Sequence, residues 1–339
     1  MKLGWLNKVN LKPQRKVVVL MYHRIADVTI DPWQLAVSPA NFEQHLQVLK
    51  KEFTIIPCSQ LISCLQTKSD FPKRGVCLTF DDGYRDNYEF AKPLLEKYEC
   101  PATFFIPNNY IGQKQYIGTD ELIPILLSTP QLPTILSLSI NQEVLNFDLG
   151  TDSLLTDVQK EKQKAWLGLN APPNKRCELY LILRERLKAL SFRNLRTVLD
   201  EIRLWAGITK ITQISESYPM TRQQLKDLAN YPLFEIGLHT VTHPFLSFHT
   251  KEVQLKEIAE NKIWLQNLNN TYRNILAYPY GDFNEDTIAV VRSLKLDAAF
   301  TTNAKSINLD SNPYSLGRFQ VNNWDGKTLK HNLLDWLKK

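Results

Sequence analysis

The sequence predicts an α/β protein with a parallel sheet wound into a barrel, and two observations support this. Continuous apolar runs recur along the 339 residues and stop at turn residues, and helical spacing of apolar side chains follows several of them. Continuous apolar strands that alternate with helices are typical of a parallel sheet covered on both faces. The predicted strands are Val17–Tyr22, Val76–Phe80, Ala102–Ile106, Phe234–Leu238, Ile275–Tyr278 and Ala298–Thr301.

Residues with reactive side chains follow these strands. His23 follows the first strand, Asp81 and Asp82 the second, and His239 the fourth, while Tyr280 comes just after the fifth. In barrels of parallel strands, the catalytic residues collect at the carboxyl ends of the strands. We therefore expect these five residues to share one rim of the barrel.

Between residues 110 and 217 the pattern changes. Residues 136–149 predict a hairpin that turns at Asn141–Gln142, and apolar spacing then predicts two amphipathic helices. We interpret the chain as an N-terminal extension, residues 1–16, and one domain, residues 17–339, which the 110–217 insertion interrupts. Because both ends of the insertion lie near strand ends, we expect it beside the barrel mouth, where it shapes substrate access or forms a lid.

The insertion also carries an excess of positive charge. Residues 156–205 hold eleven Lys or Arg against six Asp or Glu. Such an excess is typical of a solvated helix face, and it also suits a docking surface for an anionic glycan or a membrane.

The composition is that of an ordinary globular protein, 43% hydrophobic and 22% charged. The net charge of +6 is mild, and no basic, aromatic-interleaved run indicates a nucleic-acid partner. Prolines interrupt the apolar stretch 122–140, which argues against a transmembrane segment. Five cysteines without CxxC spacing and a polar N-terminus without an apolar leader predict a reduced, cytoplasmic protein.

Asp81, Asp82 and Gly83 close a predicted strand. An Asp-Asp-Gly sequence is often only a turn that caps the next helix. Alternatively, one carboxylate binds a metal while the other takes a proton from water, since Gly83 lets the backbone turn there.

His239 and His243 are four residues apart, just after another strand. In a helical turn or a tight loop, this spacing brings both imidazoles to one side. Two histidines and one carboxylate are a common ligand set for a catalytic zinc-type ion, although two unrelated surface histidines would show the same spacing. Tyr280 lies in a Pro-Gly turn whose backbone N–H is suited to bind a developing oxyanion.

Three segments resemble the successive motifs of the polysaccharide deacetylases, the carbohydrate esterase group homologous to the rhizobial chitooligosaccharide deacetylase. The segments are LTFDDGYRDN, EIGLHTVTHP and AYPYG, at residues 78–87, 235–244 and 277–281. The resemblance implies a distorted (β/α)₇ barrel, with Asp81 as general base and the Tyr280 main-chain N–H at the oxyanion. It further implies a single divalent metal, zinc or a substitute such as nickel, cobalt or iron, on Asp82, His239 and His243.

The chain departs from the family pattern at two places. Many members carry an arginine that pairs with the base where this chain has Ala277, and Arg318 or Arg85 is the candidate replacement. Many members also take a general-acid histidine from a C-terminal motif that this chain lacks. The N-terminal LMYHRI resembles instead the biofilm poly-N-acetylglucosamine deacetylases, whose first strand supplies that histidine, and this implies His23.

The resemblance implies hydrolytic removal of N-linked acetyl groups from an N-acetylated sugar or polysaccharide. A related barrel that cleaves a small non-sugar amide or a sugar O-acetyl ester stays open as an alternative. An inactive glycan-binding barrel is a third, and the complete set of four acidic and histidine residues argues against it. The sequence leaves the glycan and the oligomeric state undetermined.

Overall fold

The computed structural model describes residues 15–208, 217–268 and 271–338. The predicted N-terminal extension, residues 1–16, therefore lies almost entirely outside the described residues. The strands are β1 Val17–Tyr22, β2 Arg24–Ile25, β3 Ala36–Val37, β4 Thr54–Ile55, β5 Gly75–Phe80, β6 Ala102–Ile106, β7 Ile135–Ile140, β8 Glu143–Asp148, β9 Phe234–Leu238, β10 Tyr272–Ala277, β11 Ala298–Phe300 and β12 Phe319–Gln320.

The α-helices alternate with these strands, as the sequence predicts. They are α1 Pro39–Glu52, α2 Cys58–Thr67, α3 Lys92–Lys97, α4 Asp157–Lys164, α5 Lys175–Leu187, α6 Phe192–Trp205, α7 Arg222–Ala229, α8 Lys251–Gln266, α9 Glu285–Ser293 and α10 Gly326–Trp336. A π-helical turn, Asn87–Ala91, leads into α3. Among the described helices, none is both long and apolar enough to cross a membrane.

One parallel sheet forms the frame, in the order β12–β1–β5–β6–β9–β10–β11, with β4 beside the start of β5. The last strand lies next to the first, which is the winding that closes a barrel. Closure is incomplete, because a single bridge between Phe300 and Leu316 replaces a ladder between β11 and β12 in the described chain. The predicted distorted (β/α)₇ barrel is confirmed by these seven strands.

Alternate side chains of the strands enter two apolar layers. Val18 and Leu20 pack outwards against the helices, whereas Val17 and Val19 pack inside with residues of β10, β11 and α2. Burial on both faces explains why the strands read as continuous apolar runs rather than as alternating ones. A Cβ atom on Gly237 would come within 2.6 Å of the Phe105 ring, so only glycine lets β9 approach β6 here.

The insertion has an apolar core of its own, built from residues of β7, β8, α5 and α6. The predicted hairpin is confirmed: β7 and β8 pair antiparallel, and Asn141 and Gln142 turn with φ of 50° and 69°. Two positive φ values in a two-residue loop are characteristic of a type I′ turn. The five cysteines are buried and free.

Candidate active site

Asp81 and Asp82 lie at the carboxyl end of β5, where the predicted turn is confirmed. Asp81 continues the strand, since its N–H donates to the Tyr22 carbonyl at 3.0 Å. Asp82 has φ of 73° and Gly83 has φ of 68°. The backbone therefore begins to turn at Asp82, one residue before Gly83. Asp82 is not a glycine, so its left-handed conformation carries some backbone strain. Both carboxylates are buried.

Asp82, His239 and His243 converge in the turn region beyond the strands. The Nε2 atoms of the two histidines lie 3.2 and 3.1 Å from the same Asp82 oxygen, Oδ1. All three ligand atoms lie within 4.8 Å of one another, and the three side chains are buried. The predicted meeting of these residues is confirmed, in a tight loop rather than a helical turn, since His243 has φ of 57°.

The hydrogen-bonding pattern of this cluster calls for a cation. His239 Nδ1 lies 2.7 Å from the Ala277 carbonyl and donates to it, so its Nε2 lone pair faces the Asp82 carboxylate in the neutral ring. Burial alone would raise the pKa of Asp82, but the attraction of His243 and His239 holds this pKa well below its usual value. Burial alone would lower the pKa of His239, but the neighbouring carboxylates of Asp82 and Asp81 raise it. A zinc-type divalent ion fits the same three atoms and would supply the positive charge that this arrangement favours.

Arg318 takes the place of the arginine that many family members have where this chain has Ala277. Its guanidinium donates twice to Asp81, from Nη1 to Oδ1 and from Nη2 to Oδ2, each at 2.7 Å. Further bonds to the Thr301 carbonyl and Thr79 Oγ1 fix this fully buried side chain. Burial would raise the pKa of Asp81, but Arg318 outweighs it and holds this pKa below its usual value. Of the two predicted replacements, Arg318 is thus the one that pairs with Asp81.

His23 lies beside the same carboxylate, with Nε2 4.0 Å from Asp81 Oδ2. The end of the LTFDDGYRDN segment holds it there: Asn87 Nδ2 donates to the His23 carbonyl at 2.8 Å, and Asp86 accepts from the Ile25 N–H at 3.1 Å. Burial lowers the pKa of His23, and attraction to Asp81 offsets part of that effect. Asp81 is thus a carboxylate close to His23, a proximity that the sequence does not reveal, and the role of His23 as general acid stays a prediction.

Tyr280 also lies at this rim. Its φ is 58°, and its ring lies 4.5 Å from the His243 ring and stacks on Phe245 at 3.7 Å. The next residue must be Gly281, because a Cβ atom there would come within 2.1 Å of Thr302 Oγ1. The side chain thus forms a wall of the site, and the oxyanion role of its backbone N–H stays a prediction.

The insertion supplies the opposite wall of a cavity of about 230 Å³. Thr119, Asp120, Tyr180 and Arg184 line it together with the predicted residues, so the predicted place of the insertion at the barrel mouth is confirmed. Tyr84 donates a hydrogen bond to Asp120, whose pKa is raised by burial to about 6. Thr119, Asp120, Tyr180 and Arg184 were not predicted from the sequence, because they lie within helix and loop patterns that carry no motif.

Comparison with known proteins agrees with this geometry. The family model for polysaccharide deacetylases matches residues 68–131 and 189–299, just over half of the chain. The Bacillus subtilis protein YxkH, named as a polysaccharide deacetylase, is 22% identical over 90% of this chain and 71% of its own length. A poly-beta-1,6-N-acetyl-D-glucosamine N-deacetylase of Staphylococcus aureus is 34% identical over 26% of this chain and 30% of its own length.

The fold is also that of a solved structure. The Streptococcus pyogenes deacetylase PplD, in complex with acetate, superimposes with a TM-score of 0.53 and 21% identity, over 96% of this chain and 99% of that chain. The barrel, its strand order and the family match lead to one assignment. The chain belongs to the polysaccharide deacetylase family, hydrolases of N-acetyl amide bonds.

Proposed function

We propose that this protein is a metal-dependent N-deacetylase of an N-acetylated sugar or glycan, with Asp82, His239 and His243 as ligands of one divalent ion. The convergence of both Nε2 atoms on one Asp82 oxygen, next to the Arg318-bound Asp81, is the observation that carries the proposal. Zinc suits this donor set, and nickel, cobalt or iron are substitutes. Such an ion, held by these three residues, would supply Lewis-acid chemistry, which would activate a water for attack and polarise the acetyl carbonyl.

The remaining work falls to side chains of this chain. Asp81 takes the proton of the attacking water, and Arg318 keeps Asp81 ionised and oriented for that purpose. His23, on the other side of Asp81, gives a proton to the departing amine nitrogen, which is a poor leaving group until it is protonated. The Tyr280 N–H donates to the oxyanion, a contribution of about 3 kcal/mol for one such donor.

The shape of the site favours a short or terminal sugar unit as substrate. Tyr180 and Arg184 of α5 line the cavity on the insertion side and Tyr280 lines it on the barrel side, around a volume of about 230 Å³. An open groove with aromatic shelves would suit an internal unit of a polymer, and an enclosed pocket suits a smaller ligand. The cytoplasmic location stays a prediction from the sequence.

Substitution of the two adjacent carboxylates tests this assignment. Asp81→Asn is expected to keep bound zinc and to lose about 10²–10⁴-fold in acetate release from N-acetylated sugars, because it removes the base alone. Asp82→Asn is expected to weaken zinc binding itself. Asp157→Asn, at a side chain that is 95% exposed, is the control and should change neither quantity.

Zinc content after dialysis and acetate release from an N-acetylated sugar panel are the two measurements. Equal zinc loss in both variants would contradict the division of roles. An absence of acetate from every N-acetylated compound, with zinc bound, would refute the proposed function.

A further inference from the structure

Arg184 is a charged residue at the proposed site that the reaction does not use. Its side chain lines the 230 Å³ cavity, and its guanidinium stacks 4.0 Å from the centre of the Trp33 ring. Within the described chain it takes part in no hydrogen bond and no ion pair. A half-buried guanidinium with five unused donors is well suited to bind an anionic group of a ligand.

The position of Arg184 is defined by two aromatic rings. Tyr280 lies between Arg184 and the metal-ligand cluster, since its ring is 5.8 Å from the guanidinium carbon and 4.5 Å from the His243 ring. An anion bound by Arg184 would thus lie about one ring away from the N-acetyl group that the cluster addresses.

A second, larger cavity adjoins the first. It has a volume of about 460 Å³ and shares Trp33, Leu35, Tyr84 and Asp120 with the smaller one. Trp33, the stacking partner of Arg184, therefore belongs to the boundary between the two cavities. Beyond that boundary more of the exposed wall is apolar than polar, with Ile30, Ile123, Pro124, Leu127 and Leu155 among its residues. Five charged side chains also line it, those of Arg24, Asp27, Asp31, Lys160 and Lys164.

We propose that the substrate is an N-acetylated sugar joined through phosphate to an apolar chain, with Arg184 binding the phosphate and the larger cavity taking the chain. The order of the three features, a sugar pocket, a cation and an apolar cavity, matches the order of the parts in such a molecule. A carboxylate on the sugar would also suit Arg184, but it would leave the adjoining apolar cavity without a ligand group. This inference rests on the proposed function and specifies its substrate class.

Acetate release from three compounds tests the proposal. The compounds are farnesyl-phosphate-linked N-acetylglucosamine, N-acetylglucosamine-1-phosphate and a neutral N-acetylglucosamine oligomer. We expect kcat/KM to be highest for the farnesyl compound, and Arg184→Gln to lower it about 10- to 100-fold on both phosphate compounds, with a much smaller change on the neutral oligomer. Arg186→Gln removes the same charge from the same helix at a residue that pairs with Glu143, and it should leave all three rates as they are.

A second variant tests the chain subsite. Ser128 is an exposed residue that lines the larger cavity, and Ser128→Trp is expected to reduce the rate on the farnesyl compound to that on N-acetylglucosamine-1-phosphate. Equal wild-type rates on these two compounds would overturn the apolar subsite. Equal losses on all three compounds in Arg184→Gln would overturn the phosphate role.

Binding separates failure of this inference from failure of the proposed function. Calorimetric titration with farnesyl phosphate requires no turnover, and we expect Arg184→Gln to bind it at least about tenfold more weakly than the wild type. If no compound releases acetate but this difference is found, the proposed function fails and the phosphate subsite stands. Equal binding by both proteins would refute the inference, whatever the activity.

Discussion

Asp81 and Asp82 are neighbours in the chain, yet their carboxylates have different partners. Arg318 binds both oxygens of Asp81, whereas two imidazoles approach one oxygen of Asp82. The positive φ of Asp82 makes this possible, because it breaks the alternation that would point the two side chains to opposite faces of a strand. His243 and Tyr280 also have positive φ, so several residues of the candidate site have a backbone conformation that non-glycine residues rarely adopt.

Replacement of Arg318 tests the electrostatics of the base. Arg318 lowers the pKa of the buried Asp81, so Arg318→Gln is expected to raise that pKa and to move the acidic limb of the kcat/KM profile to higher pH. Arg318→Lys keeps a charge and should restore part of the shift. The pH–rate profiles of the three proteins at equal zinc content are the measurement, and an unmoved acidic limb in Arg318→Gln would show that Asp81 is not the titrating base.

His23→Ala tests the proposed acid. The side chain is near Asp81 rather than the metal ligands, so zinc content should be unchanged while acetate release falls about 10²–10⁴-fold. Because burial lowers the pKa of His23, the alkaline limb of the wild-type profile is expected below the ordinary histidine range, and it should disappear in the variant. Near-normal deacetylation by His23→Ala would mean that another group protonates the amine.

The site residues that the sequence predicts are those placed by short-range signals. Asp81, Asp82, His239 and His243 follow apolar strands within recognisable motifs, and strand ends meet at one rim for topological reasons. Arg318 was one of two candidates, since the choice depends on where the last strand lies beside β1. Arg184 carries no such signal, because its role depends on how the insertion folds back over the barrel.

At the scale of elements, the strands were predicted more accurately than the segments that join them. Five of the six predicted strands match to within one residue, because each is buried on both faces and ends at a turn signal. The exception is β10, which was predicted as Ile275–Tyr278 and runs from Tyr272 to Ala277. The prediction missed its first residues because they are only partly buried and lack an apolar pattern.

His45 links two elements that are distant in sequence, and its burial makes stability depend on pH. Its Nε2 lies 2.8 Å from the Trp324 carbonyl and its Nδ1 3.2 Å from the Tyr22 hydroxyl, so α1 is tied to the loop before α10. Burial lowers the pKa of His45 from 6.5 to about 4. The unfolded chain therefore takes up this proton first as the pH falls, and stability is lost between about pH 6.5 and 4.

The expected loss from His45 is on the order of 3 kcal/mol across this window. His45→Gln removes the titration, so its free energy of unfolding should fall less steeply as the pH is lowered. His331→Gln, at a histidine of α10 whose side chain is 77% exposed, is the matched control and should follow the wild type. Urea unfolding at several pH values measures the slopes, and identical slopes in wild type and His45→Gln would contradict the prediction.

On the scale of the whole molecule, two apolar cores meet at the active site. The barrel core places the metal-ligand candidates and the base, and the separate core of the insertion places Asp120 and Arg184. Glu121 connects the wall of the site to α6. It follows Asp120 in the chain, and it pairs with two arginines of α6, Arg196 at 3.1 Å and Arg203. Its side chain is only 1% exposed, so α6 holds the wall of the site through a buried carboxylate.

Glu121→Gln is therefore expected to weaken both stability and catalysis. Breaking a buried ion pair costs about 3–5 kcal/mol of the free energy of unfolding. Arg196 and Arg203 are partly exposed, 21% and 26%, so we expect a loss at the lower end of this range. A wall that Glu121 no longer holds in place should lower kcat/KM for acetate release, while zinc content stays unchanged because the ligand candidates belong to the barrel core.

Asp200→Asn is the control, since Asp200 pairs with the same two arginines but is 57% exposed, and it should cost below about 1 kcal/mol. Urea unfolding, zinc analysis and steady-state kinetics on the three proteins separate the effects. Loss of zinc in Glu121→Gln would show that the two cores form one cooperative unit, and unchanged kcat/KM despite the lower stability would show that the insertion wall takes no part in catalysis.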